Sequence, residues 1–415
     1  MKFFRWLYPG IGIKRWIVLA FLGLSFMIIV GLSAIKTISQ HSVLLASVVG
    51  AFLILGIFLV YTALKNIVRI FIRALMPGPA EDLADIVYRS RKRDFLSRGP
   101  RVVVIGGGTG LSVLLSGMKT YTNNITAIVT VTDTGGSSGR LRVELDVLPP
   151  GDIRNCLVAL ADAEPLIRDL FQYRFEEGQG LKGHSFGNLF ITALSMVTGD
   201  FEKAIRESSK VLAIRGRVVP STLDKVTLRA EFTDGKTAEG ETNITEARKP
   251  IKHISLRPSD CKATEEALEA IENAELIVMG PGSLYTSILP NLLIKDILNG
   301  VLESDAYKVL VINVMTQPGE TEGYTAFDHL RALIQHTHPR VIDACFINTQ
   351  PIPNSVLERY RETNSYPVER DLAKIRELGY EIVEGEILKL DGQVRHDSQK
   401  LAKEVIDQYF EVLKR

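Results

Sequence analysis

The sequence predicts an α/β protein, a doubly wound and mostly parallel sheet with a helical and hairpin insertion, preceded by two membrane-crossing helices. Three observations predict it. Short runs of aliphatic and β-branched residues alternate with helix-like stretches, as fully buried parallel strands do. Several of those runs end directly in glycine-rich turns. Two long uncharged apolar stretches stand ahead of them, within residues 16–35 and 42–64.

Each apolar stretch reaches the roughly 20 residues that a helix needs to cross a bilayer. A cleaved signal would not be followed at once by a second such span, and no small-residue cleavage site is evident. Lys2, Arg5, Lys14 and Arg15 precede the first span and Lys65, Arg69 and Arg73 follow the second, whereas the connecting loop holds only Lys36 and His41. Basic residues stay on the cytoplasmic side, so a multi-pass protein of the cell (plasma or inner) membrane is expected, with both termini and the main domain cytoplasmic. Residues 1–76 thus read as a membrane hairpin that meets the lipid bilayer. Residues 77–99 read as a linker: Pro77-Gly78-Pro79 ends the second helix, and Arg89, Arg91, Lys92 and Arg93 suit an anionic lipid surface. Residues 100–415 remain for the binding domain.

Composition excludes other classes. A formal net charge of +1, with no basic face recurring downstream, argues against a nucleic-acid partner. Cys156, Cys261 and Cys345 lie far apart and form no CxxC, which suits a reducing compartment and argues against a zinc or disulfide framework.

Strands are expected over 101–105, 125–131, 275–279, 308–314, 341–347 and 380–383. Between the second and third, residues 152–163, 165–173, 187–198 and 201–212 read as helices. A hairpin follows, 226–233 turning at Asp234-Gly235 into 236–241. This segment is expected to cap the carboxyl edge of the sheet, where open α/β folds bind ligands.

The chemistry concentrates at strand ends. Gly106-Gly107-Gly108-Thr109-Gly110 follows the first strand and departs from GxGxxG, because Leu111 takes the last position. Its glycines let backbone N–H groups approach an anion at the start of a helix. Asp133 ends the second strand where a Rossmann-like unit places a ribose-binding carboxylate, and an ordinary strand-end turn is the bland alternative. Thr134, Gly136, Ser137, Ser138 and Arg140 then offer amides, hydroxyls and a cation around phosphate, against the alternative of a plain flexible loop. Asp152 and Asn155 open the next helix, where Asp152 suits either capping or ligand and metal contact. His184 and Asn188 sit in a polar turn before another helix. Gly282, Ser283 and Tyr285 form a second strand-to-glycine turn, and Thr316 and Gln317 end the strand after it.

Together these segments resemble the CofD/YvcK family, which includes 2-phospho-L-lactate transferase of coenzyme F420 synthesis and the bacterial gluconeogenesis factors. The resemblance spans 101–414 and is closest to the gluconeogenesis-factor branch, through Gly106 to Gly110, Asp133 to Arg142, Pro149 to Leu160, His184 to Leu189, Gly280 to Leu293 and Asn313 to Tyr324. It implies a Rossmann-like core and binding of a nucleotide-sugar such as UDP-N-acetylglucosamine, with roles in cell shape, peptidoglycan synthesis and gluconeogenic growth. A homo-oligomer and envelope-synthesis proteins are the partner classes it leaves open. The transferase branch instead implies a nucleoside-diphosphate-linked substrate and Mg²⁺, with Asp133 and Asp152 as the metal ligands. Thr134 stands where the family commonly has a second aspartate, which weakens a metal site there. The hairpin is likewise foreign to the soluble members. A scaffold whose glycine turns only shape the fold is the third class.

Overall fold

The computed structural model describes residues 13–37, 43–75, 91, 94–390 and 393–415, in two compact units, 1–92 and 93–415. In the first unit, helices Ile13–Thr37 and Val43–Leu75 are long and apolar enough to cross a membrane over Arg15–Leu32 and Ser47–Val68. Phe21, Ile54 and Phe58 stay exposed, as side chains meant for an apolar solvent would. The helices meet through Gly23 and Gly56. A Cβ on Gly56 would come within 2.6 Å of Met27, and one on Gly23 within 2.8 Å of Val60, so small residues set the interhelical distance.

Of the expected linker over 77–99, only Arg91 and residues 94–99 are described. Leu96 is buried in the second unit, and its carbonyl accepts the Asn123 N–H at 3.0 Å. The end of that segment therefore belongs to the α/β unit. Residues 76–90, 92 and 93, over which a linker helix is expected, lie outside the described residues.

The second unit is built on seven parallel strands: β1 (Val102–Gly106), β2 (Ile125–Val129), β3 (Arg217–Pro220), β7 (Leu276–Met279), β8 (Tyr307–Val311), β9 (Ala344–Asn348) and β10 (Glu381–Gly385). Every residue of β1, β2 and β7 is buried, which is why they read as continuous apolar runs rather than alternating ones. Their order is β10-β9-β8-β7-β1-β2-β3. The chain thus winds outward from β1 through β2 and β3, returns to lie beside β1 as β7, and winds outward the other way. The point of return, between β1 and β7, is the switch point at which such sheets bind ligands.

Two features depart from the sequence expectations. The short run Arg217–Pro220 forms an edge strand, and the hairpin is one side of a three-stranded antiparallel sheet. In that sheet β4 (Thr227–Phe232) lies between β5 (Thr237–Glu239) and β6 (Ile251–Arg257), and β4 alternates buried and half-buried residues. A second small pair, β11 (Leu388–Leu390) and β12 (Val394–His396), precedes the last helix, Ser398–Val412. The three cysteines are free and buried.

Candidate functional site

The two glycine turns that flank the switch point touch each other. β1 runs through an extended Gly107 into helix Gly108–Met118, whose first residue has φ +64°. A Cβ at Gly107 would lie 2.6 Å from Asp152 Oδ2 and 2.8 Å from Thr130, and one at Gly110 would lie 2.5 Å from the Pro281 carbonyl oxygen. Neither position has room for a side chain. The turn after β7 is pinned by Asn313, whose carboxamide accepts the Gly282 N–H at 3.2 Å and donates to the Gly282 carbonyl at 2.8 Å. Behind both turns the buried Asn291 donates to the carbonyls of Gly106 (3.1 Å) and Ser287 (2.7 Å). This order is built before any ligand arrives.

Carboxylates line the crevice. Asp133 leaves the end of β2 and accepts the Gly135 N–H at 2.7 Å, an Asx turn that starts helix Gly136–Leu145. The segment, for which a plain flexible loop is the bland alternative, is thus a helix N-terminus. Gly151 packs against Ser138 and Asp133, which brings Asp152 beside Asp133. Asp152 does not cap its helix: Gly151–Leu160 begins one residue earlier, and the carboxylate accepts the N–H of Gly108. Burial, and then the charge of Asp133, push Asp152 up to about 7, against the pull of Gly108 and Arg154. Glu241, at the start of helix Glu241–Glu246, is pushed up to about 8 by burial and then by Asp133, Asp152 and Glu320. Carboxyl groups on separate elements therefore stand near enough to raise one another's pKa. A proton, a cation or a donor-rich ligand would relieve their repulsion. Among the described residues no three His, Cys, Asp or Glu side chains stand together as metal ligands, so a cation between Asp133 and Asp152 would need oxygens from the ligand as well.

A polar network supports the acidic wall from behind. Ser137 Oγ lies 2.9 Å from His184 Nδ1, and Asn188 Nδ2 donates to Ser137 (3.1 Å) and Ser138 (3.4 Å). Arg154 donates to the side chains of Ser185, Asn188 and Asn155. Burial lowers the pKa of Arg154, and Arg174 adds to that. His184 is 3% exposed, contrary to a histidine free in a polar turn, and burial followed by the Arg140 charge lowers its pKa. These groups hold the starts of helices Gly136–Leu145, Gly151–Leu160 and Phe186–Thr198 together.

Gly107, Gly108, Gly110, Asp133, Asp152 and Gly282 converge on the crevice. Arg140 stays exposed at its flank, donating to the Lys182 carbonyl at 2.8 Å, and Thr109 and Gly136 are exposed as well. Thr134 is half-buried, and its hydroxyl accepts the Thr242 N–H at 3.3 Å. Other residues are committed internally. Ser283 donates to Glu320, and Gln317 donates to the same carboxylate at 2.7 Å. Tyr285 is buried with its hydroxyl 2.7 Å from that of Tyr324, and Thr316 is tied to Ser365 and Tyr366. Sequence reasoning missed Arg154, Glu241, Asn313 and Glu320. Arg154, Asn313 and Glu320 sit inside the motifs themselves, whereas Glu241 carries no local signal.

A parallel sheet with paired glycine turns at its switch point and acids at the adjoining strand end defines a doubly wound α/β protein with a preformed ligand crevice. The model of the family described as 2-phospho-L-lactate transferase CofD matches residues 102–388, and the chain belongs to that family. The Gluconeogenesis factor of Bacillus subtilis is 48% identical over 313 residues, covering 75% of this chain and 99% of that protein. A Nostoc sp. relative, provisionally named a gluconeogenesis factor, is 47% identical over 428 residues and covers 98% of this chain and 93% of its own. A crystal structure from Bacillus halodurans, 48% identical, matches with a TM-score of 0.73 over 74% of this chain and 99% of that one.

Proposed function

We propose that the chain is a membrane-anchored, cytoplasm-facing regulator that binds a nucleotide-sugar of the UDP-N-acetylglucosamine kind and acts on cell shape, peptidoglycan synthesis and gluconeogenic growth. The observation that carries this reading is the contact between the Gly107–Gly110 and Gly280–Ser283 turns at the switch point. In it, the first-turn N–H groups of helix Gly108–Met118 beyond Gly108 take one phosphate, the Gly282 turn takes the other, and Asp133 takes a ribose hydroxyl. Arg140 neutralises the diphosphate from the flank. Asp152 and Glu241, partly protonated near neutrality, donate to sugar oxygens. The two apolar helices supply the anchor, and the flanking basic residues set its orientation. The names of the Bacillus subtilis and Nostoc relatives support the metabolic half of the proposal.

Calorimetric titration of the detergent-solubilised chain with UDP-N-acetylglucosamine and with GDP, each with and without Mg²⁺, tests it. Metal-independent preference for the UDP-sugar is the expected result. Preference for GDP that rises with Mg²⁺ would sink it in favour of a second reading, a transferase of the 2-phospho-L-lactate type. The adjacency of Asp133 and Asp152 favours that second reading, because Mg²⁺ between them would offset their repulsion and the charge of a transferring group.

A further inference from the structure

A second cavity, of about 210 Å³, opens on the same edge of the sheet between the carboxyl ends of β8 and β9. The two strands pair only from Val309 to Val311 with Ala344 to Phe346, and the chains beyond diverge. Its walls mix the two kinds of surface, with the side chains of Ile312, Val314, Ile347, Ile352, Leu357 and Val368 supplying the apolar part. The amide oxygens and the Asn348 amide of the wall are engaged locally, whereas the Thr349 hydroxyl and the Gln350 amide nitrogen also line it. Asn348 donates to the Gln350 carbonyl at 2.9 Å, and Gln350 Oε1 accepts the Leu388 N–H at 3.2 Å. Asn313, which separates this cavity from the crevice, spends its carboxamide on Gly282.

One charged group lines the cavity. Arg370 lines the cavity at its exposed rim and makes no hydrogen bond or ion pair with any described residue. No acid lines the cavity. We propose that this cavity binds a small organic monoanion with an apolar body, a short-chain carboxylic acid, its carboxylate on the Arg370 guanidinium and its hydrocarbon among Ile312, Val314, Ile352 and Leu357. A planar guanidinium pairs with a carboxylate through two parallel N–H bonds, and the single cation in the wall leaves the further charge of a phosphate unbalanced. A neutral alcohol of the same length would fill the walls and leave the cation unused. The site is independent of what occupies the switch-point crevice.

Hydrogen exchange on the full chain in lipid nanodiscs tests this, with hexanoate, hexan-1-ol and inorganic phosphate as probes. Hexanoate is expected to protect residues 312–314 and 347–352 more than either other probe. Arg370→Ala, a change at an exposed side chain, should raise the hexanoate concentration needed by roughly tenfold, the scale of one charge-assisted contact. Ile352→Trp should abolish protection by filling the cavity. Equal protection by hexan-1-ol, stronger protection by phosphate, no protection at these segments, or hexanoate protection unchanged in either variant would each overturn the proposal.

Discussion

The turn after β1 and the turn after β7 look alike in sequence, each a strand running into glycines and hydroxyls, yet they work by opposite means. In the first, the geometry rests on atoms that are missing: Gly107 and Gly110 are pressed against Asp152 and Pro281, and no N-cap side chain bonds the start of the helix. In the second, the side chains are present and spent. Ser283, Thr286 and Gln317 converge on Glu320, which is 4% exposed, and the Thr245 hydroxyl reaches it at 3.4 Å from the three-stranded insertion. On the proposed function the first turn is the ligand surface, and the second is a clamp on the insertion. Similar composition does not make equivalent sites.

The comparison breaks most sharply at Gly110. Gly110→Ala would drive a methyl group to 2.5 Å from a backbone carbonyl, and an overpacked site of this kind is expected to lose about 3 kcal/mol of stability together with ligand affinity. Denaturant unfolding, with the midpoint followed at constant slope, reads the first quantity. At the clamp, Glu320→Ala leaves several buried donors without an acceptor and should cost about 2 kcal/mol. Glu320→Gln keeps one carbonyl acceptor and should recover part of it. Equal losses in the two variants would show that the carboxylate is not the organising group.

A pH series sharpens the contrast further. Asp152 ionises at about 7 and Glu241 at about 8 in the folded chain, against roughly 4 for each when unfolded. Because both folded values are raised, their contribution to stability is full below about pH 4 and is lost as the pH climbs through 7 for Asp152 and 8 for Glu241. Asp152→Asn and Glu241→Gln should each flatten the fall in unfolding free energy across that window. An unchanged slope would dissociate these groups from the acidic space. The smallest effect is expected at Tyr285→Phe, where losing the bond to Tyr324 should cost about 1 kcal/mol in the same unfolding measurement.

Much of the sheet was legible because burial on both faces leaves a mark in every residue of a strand. β1 and β7 are unbroken apolar runs and β2 is broken only by Thr126, and each is followed by a turn that contains glycines. β3 escaped because Arg217–Pro220 is four residues long and begins with an exposed arginine at the edge. β6 escaped because its residues Lys252 and His253 face outward in succession, which breaks the alternation that marks a half-buried strand. At the site, residues adjacent in sequence to a glycine turn could be picked out by type. Glu241 could not, since its importance lies in facing Asp133 and Asp152, a proximity set by how the insertion folds back. Whether a hydroxyl is free or spent was equally hidden: Ser283 and Tyr285 carry suitable groups, and only packing shows them engaged by Glu320 and Tyr324.

The contact between Gly110 and Pro281 also bears on when the protein becomes able to bind anything. One turn is made early in translation, and the other leaves the ribosome only after the whole insertion has been synthesised. A nascent chain that ends before β7 has half a crevice and no floor. Under the proposed function, ligand capture is a late event in the life of the polypeptide, and a ligand-bound molecule is one whose two sheet halves have already closed on each other.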